Sequence, residues 1–358
     1  MFYPAGTNTS GPLAYMLDVI NQDVRSEGMS YGMMIAVQLD KKAEFDALWN
    51  WSRSFMHHPA TNHPAAGYFS WSMKTNGVPN DEMPAPDGEE YFVTALYFAA
   101  GRWGNGQGIF NYQAEADRLL TDLRHRPLLQ GETIRGRQTG QAVFDPVHKM
   151  VRFTADLEGD GHTDPSYHLP AFYELWGRWG PAEDRAFWFQ AAQASRDFFQ
   201  RAAHPATALC PEYAQFDGSP WLAPHNSGSA DFRFDAWRVA MNWAVDWSWW
   251  QADPREQELS DRLLAFFDRN TTNYGNQFTL DGRPLSADHS PGLVAMNAVA
   301  VLASTRPEAK RYVTELWTAP VPAGKYRYYD GLLHMLGMLH CGGEFRIWPP
   351  RQLVASQH

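Results

Sequence analysis

The chain has 358 residues, with 40 Asp and Glu against 30 Lys and Arg, which gives a formal net charge of -10. Hydrophobic residues make up 44% and charged residues 20%, a composition that excludes a disordered or collagen-like chain. No apolar run approaches the roughly 18 residues of a membrane span, and the acidic balance disfavours nucleic acid as a partner. The N-terminus lacks a basic region followed by an apolar core, so the sequence predicts a cytoplasmic protein without a signal peptide.

Aromatic residues reach 14% of the chain, including 15 Trp. We expect about half of the tryptophans to lie in the core. The others are expected to line a groove, because the apolar face of a sugar ring stacks on an indole. The sequence therefore favours a protein that binds carbohydrate.

Apolar residues recur at three- and four-residue spacing through most of the chain, which predicts helices. Residues 91–103 are apolar nearly all round, as expected of a buried inner helix, whereas 181–203 carry one apolar stripe, as expected of an outer helix. The predicted helices cover 28–40, 43–57, 88–103, 112–124, 166–179, 182–202, 234–251, 255–269, 291–304, 306–317 and 326–341.

Alternation of buried and amphipathic helices predicts an all-α ring of helical hairpins, the (α/α)6 arrangement, as a single domain over 1–358. Six hairpins need twelve helices, and residues 1–27 are too short and too interrupted by Gly and Pro to supply the first one. Three long loops, at 57–87, 125–164 and 204–233, are expected to carry function and short strands, such as 67–71 and 149–153.

Acidic residues at helix starts are the first candidates for chemistry. Glu27 follows Asp23 and Ser26, either of which would cap the helix, so Glu27 has an ordinary explanation in the helix dipole. A helix N-terminus lowers a carboxyl pKa, whereas a general acid needs it raised. Glu27 would act as an acid only if burial and a neighbouring carboxylate outweigh the helix end.

Three further segments carry candidate polar groups. Asp87, with Glu90 three residues later, is typical of a capping box but also suits a carboxylate that holds sugar hydroxyls. Asp235 and Arg238 share a helix face among apolar residues, which is typical both of an ion pair and of an active site. Tyr167 would orient a water molecule or satisfy a core polar group.

Two segments have the appearance of metal sites without a full ligand set. Residues 156–164 resemble the start of a calcium loop, but Tyr167 stands where the loop requires Glu. Residues 57–63 contain three histidines without a clear fourth ligand. The sequence therefore predicts no metal and no cofactor.

Five motifs in order resemble glycoside hydrolase family 8, and the resemblance extends from about Phe2 to Trp348. Within that family the chain is most similar to exo-oligoxylanases that release xylose from the reducing end. The motifs are EGMSYGMM (27–34), APDGEEYF (85–92), DPSYHLPAFYELW (164–176), FDAWRVAMN (234–242) and RYYDGLLHMLGML (327–339).

The resemblance implies an (α/α)6 barrel and an inverting hydrolase that removes xylose from the reducing end of xylo-oligosaccharides. It implies that Glu27 is the general acid, Asp235 the general base and Tyr167 the residue that holds the attacking water. Asp87 is implied to bind the central sugar. Inversion needs the acid and base roughly 6.5–9.5 Å apart, across the sugar.

The resemblance also implies roles in substrate binding. Trp71 matches a sugar-stacking residue and Arg238 an arginine beside the base, while Arg25 and His289 are expected to read a reducing-end hydroxyl. The segment 287–292 departs from the Leu-His-Pro loop of exo-acting members, which leaves an endo-acting xylanase open as an alternative. An epimerase or lyase on the same ring is the alternative from another class of enzyme.

Overall fold

The helices of the chain alternate between two concentric layers. The computed structural model describes residues 1–131, 139–157, 161–269 and 274–351. Its α-helices are α1 (Ser26–Gln38), α2 (Lys42–Trp51), α3 (Pro86–Trp103), α4 (Tyr112–His125), α5 (Pro170–Trp179), α6 (Arg185–Ala202), α7 (Trp237–Trp250), α8 (Arg255–Arg269), α9 (Pro291–Ala300), α10 (Lys310–Thr318) and α11 (Tyr329–Cys341).

The odd-numbered helices form the inner layer. Each of them contacts the next odd-numbered helix, and α11 contacts α1, which closes the ring. The even-numbered helices pack outside, each against the inner helix that precedes it. The predicted (α/α)6 barrel is confirmed, and in the described residues it has six inner and five outer helices.

Side-chain burial explains the two layers. Every residue of α3 from Pro86 to Ala100 is buried, whereas only Tyr312 and Leu316 are buried in α10. Each large apolar side chain removed from water stabilises the fold by roughly 1.5–3 kcal/mol, so the all-apolar segments occupy the inner ring. Seven of the 15 tryptophans are buried, in agreement with the expected half.

The N-terminal segment contains a β-hairpin where a twelfth helix would lie. Strand β1 (Phe2–Asn8) pairs antiparallel with β2 (Gly11–Met16), and β2 packs on α2. The prediction that this segment lacks a helix is confirmed, but the hairpin was not predicted. Gly32 allows its close approach to α1, because a Cβ there would lie 2.9 Å from the Met16 side chain.

Short strands occur in the long loops, and one small sheet joins the loop 57–87 to the start of α1. The remaining strands are β3 (Val24–Arg25), β4 (Ser72–Met73), β5 (Pro79–Asp81), β6 (Leu129–Gln130), β7 (Thr139–Gly140), β8 (His162–Thr163) and β9 (Ala214–Gln215). The order β3-β4-β5 ties the loop 57–87 to the residues before Glu27. Strands predicted at 67–71 and 149–153 are wrong, because only isolated bridges form there, at Phe69 and Val151.

Within the described residues, no helix is both long enough and apolar enough to cross a membrane.

Candidate active site

Arg238 is the centre of a buried polar cluster at one end of the ring. It is the second residue of α7, and 1% of its surface is exposed. Its two terminal nitrogens contact residues from four separate segments. Nη1 lies 2.6 Å from Tyr31 Oη, 2.6 Å from Asp87 Oδ2 and 3.2 Å from Glu27 Oε2, and Nη2 lies 2.9 Å from Ser166 Oγ and 2.9 Å from Asp235 Oδ1.

Glu27 lies in the first turn of α1 and has 16% of its side chain exposed. Burial raises the pKa of Glu27 to about 8; Arg238 opposes the shift, and Asp87 and Asp235 add to it. The condition set by the sequence, that burial should outweigh the helix end, is therefore met. The predicted caps are wrong, because Arg25 occupies the N-cap position without a side-chain hydrogen bond.

Gly28 allows Tyr328 to approach Glu27. A Cβ on Gly28 would lie 2.3 Å from Tyr328 Oη, so only glycine fits between α1 and this side chain. The hydroxyl of Tyr328 donates to Glu27 Oε1 over 3.5 Å. The small residues of the SEGMSYG motif thus let the last inner helix reach the first one.

Asp87 follows Pro86 in the first turn of α3, with 5% of its side chain exposed. The capping box is wrong, because Ala85 is the N-cap residue and no side chain caps the helix. Asp87 instead binds Arg238, and Glu90 binds Tyr173. Burial raises the pKa of Asp87 although Arg238 opposes it.

Asp235 lies in a 3-10 turn (Phe234–Ala236) that precedes α7. The expected ion pair with Arg238, three residues later, is confirmed. Although Asp235 stands among apolar residues in the sequence, 33% of its side chain is exposed. Of the three carboxyl groups on Arg238, Asp235 is therefore the most accessible to water.

Tyr167 ends a second 3-10 turn (Pro165–Tyr167), and its side chain is buried. The turn contacts the cluster through Ser166, which accepts a hydrogen bond from Arg238. Burial, reinforced by the negative charges of Asp87, Asp164 and Asp235, raises the pKa of Tyr167 well above its usual value, so the hydroxyl keeps its proton.

Trp71 and Arg25 lie beside Glu27. The carbonyl of Trp71 accepts a hydrogen bond from the Ser26 backbone N–H at 3.0 Å, and the Arg25 guanidinium lies 5.4 Å from the centre of the Trp71 ring. Arg25 also pairs with Asp23 and Asp18. Both residues are partly exposed, in a position to meet a ligand that reaches Glu27.

His289 binds two groups that are not part of the cluster. Its Nδ1 lies 2.9 Å from the Tyr274 carbonyl and its Nε2 lies 3.3 Å from Glu315 on α10. A role for His289 in reading a sugar hydroxyl stays a prediction, and both of its ring nitrogens already have partners in this geometry.

The cluster contains residues that sequence reasoning did not single out. Tyr31 and Tyr328 contact Arg238 and Glu27, and Tyr329 Oη lies 3.4 Å from Asp235 Oδ1. Tyr328 and Tyr329 stand in the RYYDG motif. Two adjacent tyrosines directly before an apolar helix were the sequence feature that could have indicated their place in the site.

One group of described residues has the composition of a metal site. Ligand atoms of His58, His63 and Glu82 all lie within 4.8 Å of one another. The two imidazole rings, however, are stacked 4.4 Å apart with 5° between their planes. Ring lone pairs lie in the ring plane, so two parallel rings do not converge on one ion in this arrangement. The calcium-like segment includes Glu158 and Asp160, which lie outside the described residues.

The family profile described as "Glycosyl hydrolases family 8" matches residues 19–343. The chain belongs to glycosyl hydrolase family 8. It is 43% identical over 351 residues to a reducing-end xylose-releasing exo-oligoxylanase of Paenibacillus barcinonensis, covering 97% of this chain and 88% of that protein. A second such exo-oligoxylanase, from Halalkalibacterium halodurans, is 42% identical, with 98% and 86% covered.

Solved family 8 structures have the same fold. The xylobiose complex of a family 8 protein from Teredinibacter turnerae superposes with a TM-score of 0.96 at 56% identity, covering 98% of this chain and 89% of that one. Membership of a glycoside hydrolase family identifies this protein as a glycoside hydrolase, and the epimerase or lyase alternative is not supported.

Proposed function

We propose that this family 8 hydrolase removes xylose from the reducing end of xylo-oligosaccharides with inversion of the anomeric centre. One observation carries the proposal: a single buried guanidinium gathers three carboxyl groups in unequal environments. Glu27 has 16% of its side chain exposed and a raised pKa, whereas Asp235 is one-third exposed in an ion pair. Two carboxyl groups with divergent environments are what acid–base hydrolysis of a glycoside requires.

Glu27 is the general acid in this proposal. A pKa of about 8 keeps its proton in place at neutral pH, ready for the glycosidic oxygen. Tyr328 binds one of its oxygens and Arg238 the other, which restricts the orientation of the carboxyl group. Loss of the proton to the leaving oxygen places a negative charge next to Arg238, which stabilises it.

Asp235 is the general base, and Tyr167 holds the attacking water with it. The acid and the base bind different nitrogens of Arg238, so two hydrogen bonds and the width of one guanidinium separate their nearest oxygens. Inversion requires the two carboxyl groups to lie roughly 6.5–9.5 Å apart, which leaves room for the sugar and the water. Tyr167, which keeps its proton, donates to that water or to a sugar hydroxyl.

Asp87 binds the central sugar between the acid and the base. Its Oδ2 accepts from Arg238 and its Oδ1 from the Gly88 backbone, so the carboxyl group is rigid and presents its remaining lone pairs to sugar hydroxyls. Trp71 supplies the stacking face, and Arg25 holds a hydroxyl next to it.

Similarity to two exo-oligoxylanases at 42–43% identity supports xylo-oligosaccharide as the substrate. The proposal includes a single catalytic domain over 1–358, no required cofactor, and a cytoplasmic location where short oligomers rather than polymers are available.

The decisive test is digestion of xylotriose labelled at its reducing end, followed by NMR of the new anomeric centre. Labelled free xylose with unlabelled xylobiose formed as the α-anomer is the expected result. The variants Glu27→Ala and Asp235→Ala should each lower turnover by at least 100-fold while leaving the thermal unfolding transition cooperative. Formation of the β-anomer would contradict inversion and the assignment of Asp235 as base.

An endo-acting xylanase is the second candidate. The Teredinibacter turnerae protein, 56% identical, was also solved as a xylohexaose complex described as a xylanase. The segment 287–292 favours this candidate, because both ring nitrogens of His289 are already taken by Tyr274 and Glu315. Xylohexaose labelled at its reducing end separates the two: labelled xylose alone indicates exo action, and labelled xylobiose or xylotriose in the first minutes indicates endo action.

A further inference from the structure

The turn that contains Tyr167 is bound by a side-chain hydroxyl of the inner helix α5. Tyr173 of α5 is fully buried, and its Oη lies 3.2 Å from the backbone carbonyl oxygen of Tyr167. The same Oη lies 2.5 Å from Oε1 of Glu90, a fully buried residue of α3. One hydroxyl group thus lies between a backbone carbonyl and a carboxyl group.

The protonation state of Glu90 decides which hydrogen bonds the Tyr173 hydroxyl can make. A tyrosine hydroxyl has one proton to donate, and both of its neighbours are acceptors when Glu90 is ionised. An ionised Glu90 would take the hydroxyl proton and leave the Tyr167 carbonyl without a donor. A protonated Glu90 donates to the Tyr173 oxygen instead, and Tyr173 then donates to the carbonyl, so that every partner is satisfied.

The surroundings of Glu90 favour the protonated form. Its other oxygen has no hydrogen-bond partner in the described part of the chain, and Tyr173 is the group it contacts. Burial raises the pKa of Glu90 well above its usual value, and the hydrogen bond from Tyr173 opposes the shift without cancelling it. An ionised carboxylate at this depth would be strongly unfavourable.

We propose that Tyr173, held by a protonated Glu90, is a positioning residue for Tyr167. It fixes the carbonyl of Tyr167 and so the direction of that side chain toward the water. The proposal rests on the proposed function, because it takes Tyr167 as the residue that holds the water.

The other backbone hydrogen bonds of the turn hold the peptide groups before the Tyr167 carbonyl, including the Tyr167 N–H, which donates to the Asp164 carbonyl; Tyr173 alone among the described contacts holds the Tyr167 carbonyl. The backbone N–H of Ser166 donates to Asp164, and its carbonyl accepts from Asn242. Those bonds set where the turn starts, whereas the Tyr173 bond sets the peptide plane at Tyr167 itself. Displacement of a reacting group by 1 Å costs on the order of 100-fold in rate, so this peptide plane matters for turnover.

Glu90 also links this support to the catalytic cluster. It lies three residues after Asp87 on α3, so the two carboxyl groups share one face of the helix. Asp87 binds Arg238 one turn above the point where Glu90 binds Tyr173. The spacing between the sugar-binding carboxylate and the water-holding tyrosine is thereby set by one helix.

The test compares Tyr173→Phe with the matched control Tyr97→Phe. Tyr97 is equally buried, and its hydroxyl lies 2.5 Å from a carboxylate oxygen of Asp117, but it is ten residues and about 15 Å along α3 from Asp87. Two substrates are used: xylotriose, and β-xylobiosyl fluoride, whose fluoride leaves without a proton from Glu27. The fluoride therefore reports on the water, the base and Tyr167.

We expect Tyr173→Phe to lower kcat on both substrates by 10- to 100-fold, with KM changed less than threefold. Tyr97→Phe should lose a similar increment of thermal stability and keep kcat within twofold of the parent. Equal kcat values for the two variants would overturn the proposal, because loss of a buried hydroxyl would then have only a structural effect.

Glu90→Gln is the second variant of the test, and it decides the outcome if Tyr173→Phe does not fold. The amide N–H replaces the carboxyl O–H as donor to Tyr173, so kcat on the fluoride should stay within threefold of the parent. On the fluoride, which needs no proton from Glu27, the parent should lose rate at alkaline pH as Glu90 ionises, and Glu90→Gln should keep its rate to higher pH.

Loss of turnover of the fluoride in Glu90→Gln, or identical alkaline limits on the fluoride for this variant and the parent, would overturn the proposal. Failure of the proposed function has a different signature: the unmodified enzyme would then release no xylose from xylotriose. That result would overturn the proposed function and this inference with it.

Discussion

Replacing the proposed general acid by its amide should stabilise the protein while abolishing its activity. Gln has the same shape as Glu. It also has the neutral charge that Glu27 keeps at pH 7, because burial raises the pKa of Glu27 to about 8. The Gln amide oxygen still accepts from Arg238, and its amide N–H donates to the Tyr328 hydroxyl oxygen, so the folded state loses little. The unfolded state loses the advantage of releasing a proton, and this difference makes the stabilisation depend on pH.

The magnitude follows from the two pKa values of Glu27. The carboxyl titrates near 4.5 in the unfolded chain and near 8 in the folded one, so folding retains a proton that the unfolded state releases. Stability from this group is full below pH 4.5 and falls by about 1.4 kcal/mol for each pH unit until about pH 8. At pH 7 the amide variant should therefore gain roughly 3 kcal/mol over the parent.

Urea unfolding at pH 5, 6 and 7 measures this gain. The difference between variant and parent should grow by about 1.4 kcal/mol per unit, while turnover of xylotriose falls by at least 100-fold. Glu89→Gln is the matched control, because burial raises the pKa of Glu89 to about 8 as well and its carboxyl binds the Phe69 backbone rather than Arg238. It should show the same trend in stability with normal turnover. A constant difference across pH in Glu27→Gln would refute the reasoning.

Three further outcomes are expected. Asp235→Asn should lower kcat on xylotriose by 10²–10⁴-fold, as measured by xylose release, and a near-normal rate would remove Asp235 as the base. Gly28→Ala should lower the free energy of unfolding by roughly 1–3 kcal/mol and also lower kcat, because its Cβ would lie 2.3 Å from Tyr328 Oη; an unchanged melting temperature would contradict this close contact. The kcat/KM profile of the parent should fall tenfold per pH unit above about pH 8, as Glu27 loses its proton, and an alkaline limb near pH 5 would assign the acid to another residue.

The helices were predictable because burial imposes different patterns on the two layers. After its first turn the inner helix α3 is apolar nearly all round, whereas outer helices such as α8 have one apolar stripe, so the periodicity of the sequence separated the two layers. The N-terminal hairpin was not predictable in the same way. Strand β1 is exposed at nearly every position, so burial imposes no alternation on its sequence.

The carboxylates of the site were predictable, and their surroundings were not. Glu27, Asp87 and Asp235 stand at the starts of apolar helices or turns, a local pattern that sequence displays. Their convergence on Arg238 depends on contacts across 151 and 211 residues, which no local pattern records. For the same reason the sequence suggested a capping box at Asp87, where the structure has an ion pair.

The contact between Tyr328 and Glu27 has a consequence for synthesis of the protein. It joins residues 301 positions apart, at the two ends of the ring, across the seam between α11 and α1. At roughly 5–20 residues per second, a ribosome completes Tyr328 about 15–60 s after Glu27. A nascent chain that has folded helices α1 to α10 still lacks Tyr328, which contacts Glu27. The surroundings of Glu27 are therefore complete only once the last inner helix has been made and has docked against the first.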